Sequence, residues 1–150
     1  MLLLAAVLCF AACINESSNK KQQYAQILTE KKWQFDWTAM RDTLMSRPVS
    51  DRDIRFFETF EARSKNAIFE FKEDGKLNIF TSDSEYQVGL WSLDGQNNTI
   101  KMELYQTALS SPLPIMELNK ERVVLGPNPK APYAINRIFV PYIEDNNESE

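Results

Sequence analysis

Few side chains in this sequence could do chemistry, and their placement narrows the kinds available. The chain has 150 residues and no histidine, so the commonest metal ligand and the commonest neutral-pH proton shuttle are both missing. Its only cysteines, Cys9 and Cys13, lie in an apolar N-terminal run, which leaves no disulfide framework, zinc site or thiol nucleophile for a mature domain. The paired acids read structurally: Asp51 and Asp53 suit a helix start, Asp83 and Glu85 a turn. Glycoside chemistry would need two carboxylates placed about 5–10 Å apart, and nothing in the spacing sets such a pair. Calcium-loop spacing is absent. The chain therefore reads as a non-enzyme, with no catalytic residue, no metal site and no cofactor.

What remains is a constellation for covalent anchoring. Met1 to Ile14 (M-L-L-L-A-A-V-L-C-F-A-A-C-I) is too short to span a bilayer, which takes about 20 residues, and suits the apolar region of a signal peptide. Phe10-Ala11-Ala12-Cys13 resembles the lipobox of bacterial lipoproteins, where the peptide is cut before the cysteine and that cysteine is acylated. Phe10 stands where leucine is usual, and no Lys or Arg precedes the apolar run. The resemblance implies a signal peptide over 1–12, lipidation of Cys13 and a membrane anchor. An ordinary secretory signal is the alternative. Ile14 after the cysteine, in place of aspartate, implies by the same analogy an outer-membrane lipoprotein of the cell envelope, facing the periplasm or the surface.

The segment 13–23 that follows (C-I-N-E-S-S-N-K-K-Q-Q) reads as a lipidated polar tether. At the other end, Glu144, Asp145, Glu148 and Glu150 carry four charges, equal to the whole net charge of −4. Residues 142–150 are expected to be an acidic, disordered tail. Removing those four acids leaves 17 acids against 17 bases. With no basic surplus to track phosphates, nucleic acid is not an expected partner.

The positioning elements are organised around Asn66 to Leu93. Ala67, Phe69 and Phe71 alternate with Ile68, Glu70 and Lys72, the period of a strand with one buried face. Asp74-Gly75 predicts a two-residue hairpin turn. Leu77, Ile79 and Thr81 return, and Tyr86, Val88 and Leu90 run back after a turn at 82–85. Upstream, Tyr24, Ile27, Leu28 and Lys31 are spaced for a short helix, and Lys32 to Thr38 alternates as the first strand. An insertion over 39–65 then predicts one helix, capped by Ser50 and carrying Ile54, Phe57 and Phe60.

Beyond Leu93, Asp94-Gly95 turns the chain into a strand through Ile100, Met102 and Leu104. A Ser- and Pro-rich loop covers 105–114. Ile115 to Leu118 and Arg122 to Leu125 form a weaker hairpin about Asn119-Lys120, and Tyr133 to Val140 is the last strand. One domain over 24–141 follows: mainly β, about eight antiparallel strands in an up-and-down barrel, with a short N-terminal helix and one helical insertion between strands 1 and 2. Short turns fall at one end and long loops at the other.

These features resemble the lipocalin-like lipoproteins of Bacteroidota-type Gram-negative bacteria. The likeness rests on the lipobox, Lys32-Trp33, Phe69-Glu70-Phe71-Lys72-Glu73-Asp74-Gly75, Gly89-Leu90-Trp91-Ser92-Leu93 and Val123-Val124-Leu125, and covers about Leu28 to Val140. It implies a calycin-type barrel and brings no agreed ligand or activity. True lipocalins stack a last-strand arginine over a first-strand tryptophan, which here implies that Arg137 packs over Trp33 to close the floor. Gly89-x-Trp91 sits mid-chain, unlike the first-strand motif of true lipocalins, so their ligand preferences do not transfer. A ligand would sit in the upper interior near Trp37, Phe57, Tyr86 and Tyr105, and would be small and apolar or amphipathic. The same residues could simply fill the core, leaving a solid interaction module for another envelope protein.

Overall fold

A computed structural model describes residues 2–82, 85–104, 111–128, 130 and 133–144, with side chains from Glu16 onward apart from those of Ser82 and Glu85. The elements run α1 (Leu2–Thr29), β1 (Trp33–Phe35), α2 (Trp37–Met45), α3 (Asp51–Ser64), β2 (Ile68–Phe71), β3 (Lys76–Ser82), β4 (Glu85–Asp94), β5 (Thr99–Leu104), β6 (Leu113–Leu118), β7 (Val123–Leu125) and β8 (Arg137–Pro141). The eight strands pair with their sequence neighbours, all antiparallel, and β8 returns to β1 to close a barrel. The up-and-down order expected from the alternating runs and short turns is the order observed.

Local chemistry accounts for where the elements differ from expectation. The first strand ends at Phe35 and does not reach Thr38, because Asp36 caps a helix: its carboxylate accepts from Ala39 N at 3.0 Å, and its carbonyl accepts from Met40 N. Trp33, Phe35 and Trp37 keep strand spacing, yet Trp37 is already the first residue of α2. The insertion therefore carries two helices. α2 lies along β8, and Met40, Leu44 and Ile138 are all buried there. α3 starts at the expected place, with a reciprocal Ser50–Asp53 capping box.

The β2–β3 hairpin is also one residue longer than a two-residue turn. Gly75 N donates to Lys72 O at 3.0 Å and Lys72 N to Lys76 O at 2.8 Å. Glu73 and Asp74 thus occupy the corner, and Gly75 alone takes a positive φ, of 83°. This is the three-residue loop with glycine in the left-handed position.

The lower end is closed by α1. The predicted short helix near Tyr24 is the last part of a helix that begins at Leu2, and the expected tether 13–23 lies within it. Its side chains from Ser18 to Gln23 are exposed, as their polarity requires. No helix among the described residues is long and apolar enough to cross a membrane. A Cβ on Gly95, in the β4–β5 turn, would stand 2.6 Å from the Ser17 carbonyl oxygen, so the helix passes directly beneath that turn. Further on, Ile27 and Leu28 are buried in the core.

Just past the helix, Lys31 Nζ donates to Lys120 O in the β6–β7 turn at 3.0 Å. Tyr142 N donates to Lys32 O at 2.9 Å, and Lys32 pairs with Glu144 at 2.7 Å. The first residues of the expected tail are therefore fastened to the barrel floor, while residues 145–150 lie outside the described residues.

Candidate functional site

Inward-facing side chains do not fill the barrel evenly. In the lower half Leu28, Trp33, Phe71, Trp91, Leu93, Ile100, Val123 and Leu125 are buried. The Trp33 indole donates to Leu28 O at 3.1 Å and the Trp91 indole to Lys72 O at 2.9 Å, so both polar tips are satisfied inside an apolar floor. Above them lies a cavity of about 500 Å³.

Its walls come from almost every element. Phe35, Phe69 and Phe139 form an aromatic back wall, with ring centroids 4.7–5.1 Å apart. Leu77, Ile79, Met102, Leu104 and Leu113 supply the aliphatic side, and Thr81, Gln87, Ser111 and Asn128 add small polar groups. Phe60, Arg63 and Ser64 reach it from α3, Tyr133 and Arg137 from the segment entering β8. A side void of about 30 Å³, room for roughly a single water, adjoins it between Phe56, Phe60, Asn128, Tyr133, Ile135 and Arg137.

The α3 side of the cavity is fastened at two points. Phe56 stacks on Tyr133 with centroids 3.3 Å apart, and Arg47, after α2, donates to the Ala134 carbonyl. Trp37 packs on Phe35, Phe57 and Phe60 at 4.9–6.0 Å, and its Nε1 donates to Lys65 O at 3.2 Å. The helical insertion is thus held against the barrel by rings.

The predicted site residues fall in different places. Trp37 and Phe57 support this aromatic cluster from behind and do not line the cavity. Phe57 is buried, with the Arg41 guanidinium 5.1 Å from its ring centre. Tyr86 corrects the expectation outright: it is 53% exposed on the outside of β4, tilted against Phe80 at 5.0 Å. Strand β4 offers two apolar sets of opposite parity, Tyr86/Val88/Leu90 and Trp91/Leu93. The barrel turns the second inward, so the first faces out. Tyr105 lies outside the described residues, as does the Cys13 side chain.

Arg137 is not over Trp33. Trp33 pairs with Pro141 and Phe35 with Phe139, so Arg137 lies four residues up β8 from the tryptophan, at about 3.3 Å per residue. The last strand starts at Arg137 and not at Tyr133, which lifts the arginine from the floor to the cavity. Burial holds its pKa below the ordinary arginine range, with the Tyr133 phenol acting the other way. Its backbone is in register with Leu125 of β7, and no hydrogen bond or ion pair joins its guanidinium to any described residue.

None of the described residues lining the cavity is Asp, Glu, His or Cys, and no group of three or more such residues that could hold a metal occurs among the described residues. The lining can exclude water, stack on flat or aliphatic surface and offer two cations with a few neutral donors. Sequence reasoning set Phe60 on the helix expected over the mouth, and missed Arg63, Gln87, Tyr133 and Arg137 as lining residues. The signal available was the spacing of Phe56, Phe60 and Arg63 along the capped helix.

No protein-family profile and no curated protein matches the sequence. Among solved structures, the chain is similar to a DUF4847 family protein from Bacteroides vulgatus, at 16% identity and a TM-score of 0.49, over 77% of this chain and 94% of that one.

Proposed function

We propose that this protein is a lipocalin-like, lipid-anchored barrel of the cell envelope that holds one small apolar or amphipathic molecule in its upper interior. The observation that carries the reading is the cavity of about 500 Å³ with mainly apolar walls, within the range of about 300–1,000 Å³ that small-molecule sites occupy. The lipobox-like Phe10-Ala11-Ala12-Cys13 supports the anchor. Cys13 lies 15 residues before Leu28 in α1, about 22 Å of helix. Because the C-terminal end of α1 seals the floor, an acyl group there leaves the cavity on the side away from the membrane.

Native mass spectrometry of protein purified from its own host tests the ligand. One stoichiometric small-molecule adduct is the expected result, and an empty barrel would count against it. Cys13→Ala tests the anchor, since the variant should leave the membrane fraction, and retention there would overturn lipidation. The second reading, an interaction module for another envelope protein, is favoured by the exposed Tyr86 and Leu90 on the outer face of β4. A co-purifying protein without a small-molecule adduct would decide for it.

A further inference from the structure

The cavity is apolar except for one feature that apolar cargo does not explain. Arg137 opens β8 with the same inward parity as Phe139, and both line the cavity. A guanidinium inside a barrel is costly unless it is paired, and this one makes no ion pair or hydrogen bond with any described residue. The polar groups lining the space around it, Tyr133, Asn128 and Gln87, are neutral. Two arginines of the helical insertion are matched: Arg41 pairs with Glu61 and Arg47 donates to Ala134 O. A second cation, Arg63, stands in the last turn of α3, exposed and also on the cavity. The arrangement is an apolar chamber with an unneutralised cation within and another at its rim, and low-dielectric walls focus such a field on one sign of guest.

We propose that the cavity selects an amphiphile with a single anionic head, a carboxylate or a group of like geometry, which Arg137 grips bidentately while the tail lies against Phe35, Phe69 and Phe139. The fork of N–H donors on arginine matches a carboxylate. The aromatic back wall starts two residues further along β8, so head and tail sites are contiguous. Arg63 attracts the anion without enclosing it. This assignment rests on the reading of the cavity as a ligand site and adds the charge of the ligand to it.

Isothermal titration calorimetry on the full chain, delipidated on a hydrophobic resin, tests it with decanoate and decan-1-ol, guests of equal length and different charge. Decanoate should bind one to one and at least tenfold tighter than decan-1-ol at neutral pH. Its affinity should fall as pH is lowered through the carboxylate range, while that of the alcohol stays flat. Arg137→Met should lose that tenfold preference and keep decan-1-ol binding, and Arg137→Lys should recover part of it. Equal affinity of the wild-type protein for both guests would overturn the anion assignment and leave the cavity reading standing. Absence of binding by either guest would overturn both. The wild-type comparison and its pH profile decide the matter even where Arg137→Met fails to fold.

Discussion

The indole nitrogen of Trp33 donates to the carbonyl oxygen of Leu28 across 3.1 Å, and neither residue is more than 1% exposed. This bond joins the start of the barrel to the helix that seals it. Trp33→Phe keeps most of the ring volume but leaves a buried carbonyl without its donor, which costs about 1–3 kcal/mol. Urea unfolding should show that loss. A change within about 0.5 kcal/mol would mean the floor does not depend on this bond.

Arg137→Met should stabilise the unliganded protein. Methionine fills similar space without an unpaired charge at this half-buried position, and relieving the partial desolvation of the guanidinium should raise stability modestly. A thermal melt of delipidated protein reads it directly. A lower melting temperature would mean that Arg137 holds the fold together, the role expected of it as a closure device over Trp33.

Gly95→Ala probes the seat of α1. The added methyl would stand 2.6 Å from the Ser17 carbonyl oxygen, closer than backbone can tolerate, so the helix must move away. Forced shifts of this kind cost about 1–3 kcal/mol. Hydrogen exchange should quicken in α1 and stay unchanged in β2 and β3. Unchanged exchange in α1 would mean that the helix does not rest on that turn.

The α3 cap makes a pH prediction. Hydrogen bonds from the Ser50 hydroxyl and backbone hold the Asp53 carboxyl below its ordinary value of 3.8. A group whose pKa is lower folded than unfolded adds stability that is fully present above the unfolded value and is lost as pH falls through the folded one. The gap in melting temperature between wild type and Asp53→Asn should therefore be constant from pH 5 to neutrality and should close below about pH 4. A gap that persists in acid would count against the cap.

Tyr86→Ser separates the two faces of β4. The tyrosine points outward, so ligand affinity should be unchanged and stability should move by no more than about 0.5 kcal/mol. Phe69→Ala, on the cavity wall, should cost about 3–5 kcal/mol and alter binding. Lost affinity in Tyr86→Ser would return that side chain to the interior.

The meander was legible because its information is local. Ala67, Phe69 and Phe71 show their face by period, and Gly75 marks its turn by what its backbone alone can adopt. Asp94 and Asn119 mark theirs through carboxylate and amide oxygens that accept from the backbone N–H groups that follow. The errors arose where two local signals compete. Trp37 continues the alternation of Trp33 and Phe35, yet the cap at Asp36 prevails, since a helix there also buries Met40 and Leu44 against β8. In β4 both parities carry large apolar residues, and only closure of the barrel decides between them.

Arg137 was misplaced because Tyr133 to Asn136 has strand-like composition but stands outside the ladder, tied to α2 and α3 by Arg47 and Phe56. The cavity itself has no sequence signature. It is the volume left when strands fixed by their own periodicity are wrapped to a circumference that their side chains do not fill.

The pairing of β1 with both β2 and β8 has a consequence for how copies of this molecule meet. Every strand has a bonded neighbour on either side, and among the described residues the wall is closed to backbone docking by an extended peptide or a second copy except along residues 101–104 of β5, which β6 does not cover. Over the rest of the wall, encounters at high density are side chain against side chain. Stacking of copies into fibrils would first require one of the short seams, β1–β2 or β5–β6 with two residue pairs each, to come apart.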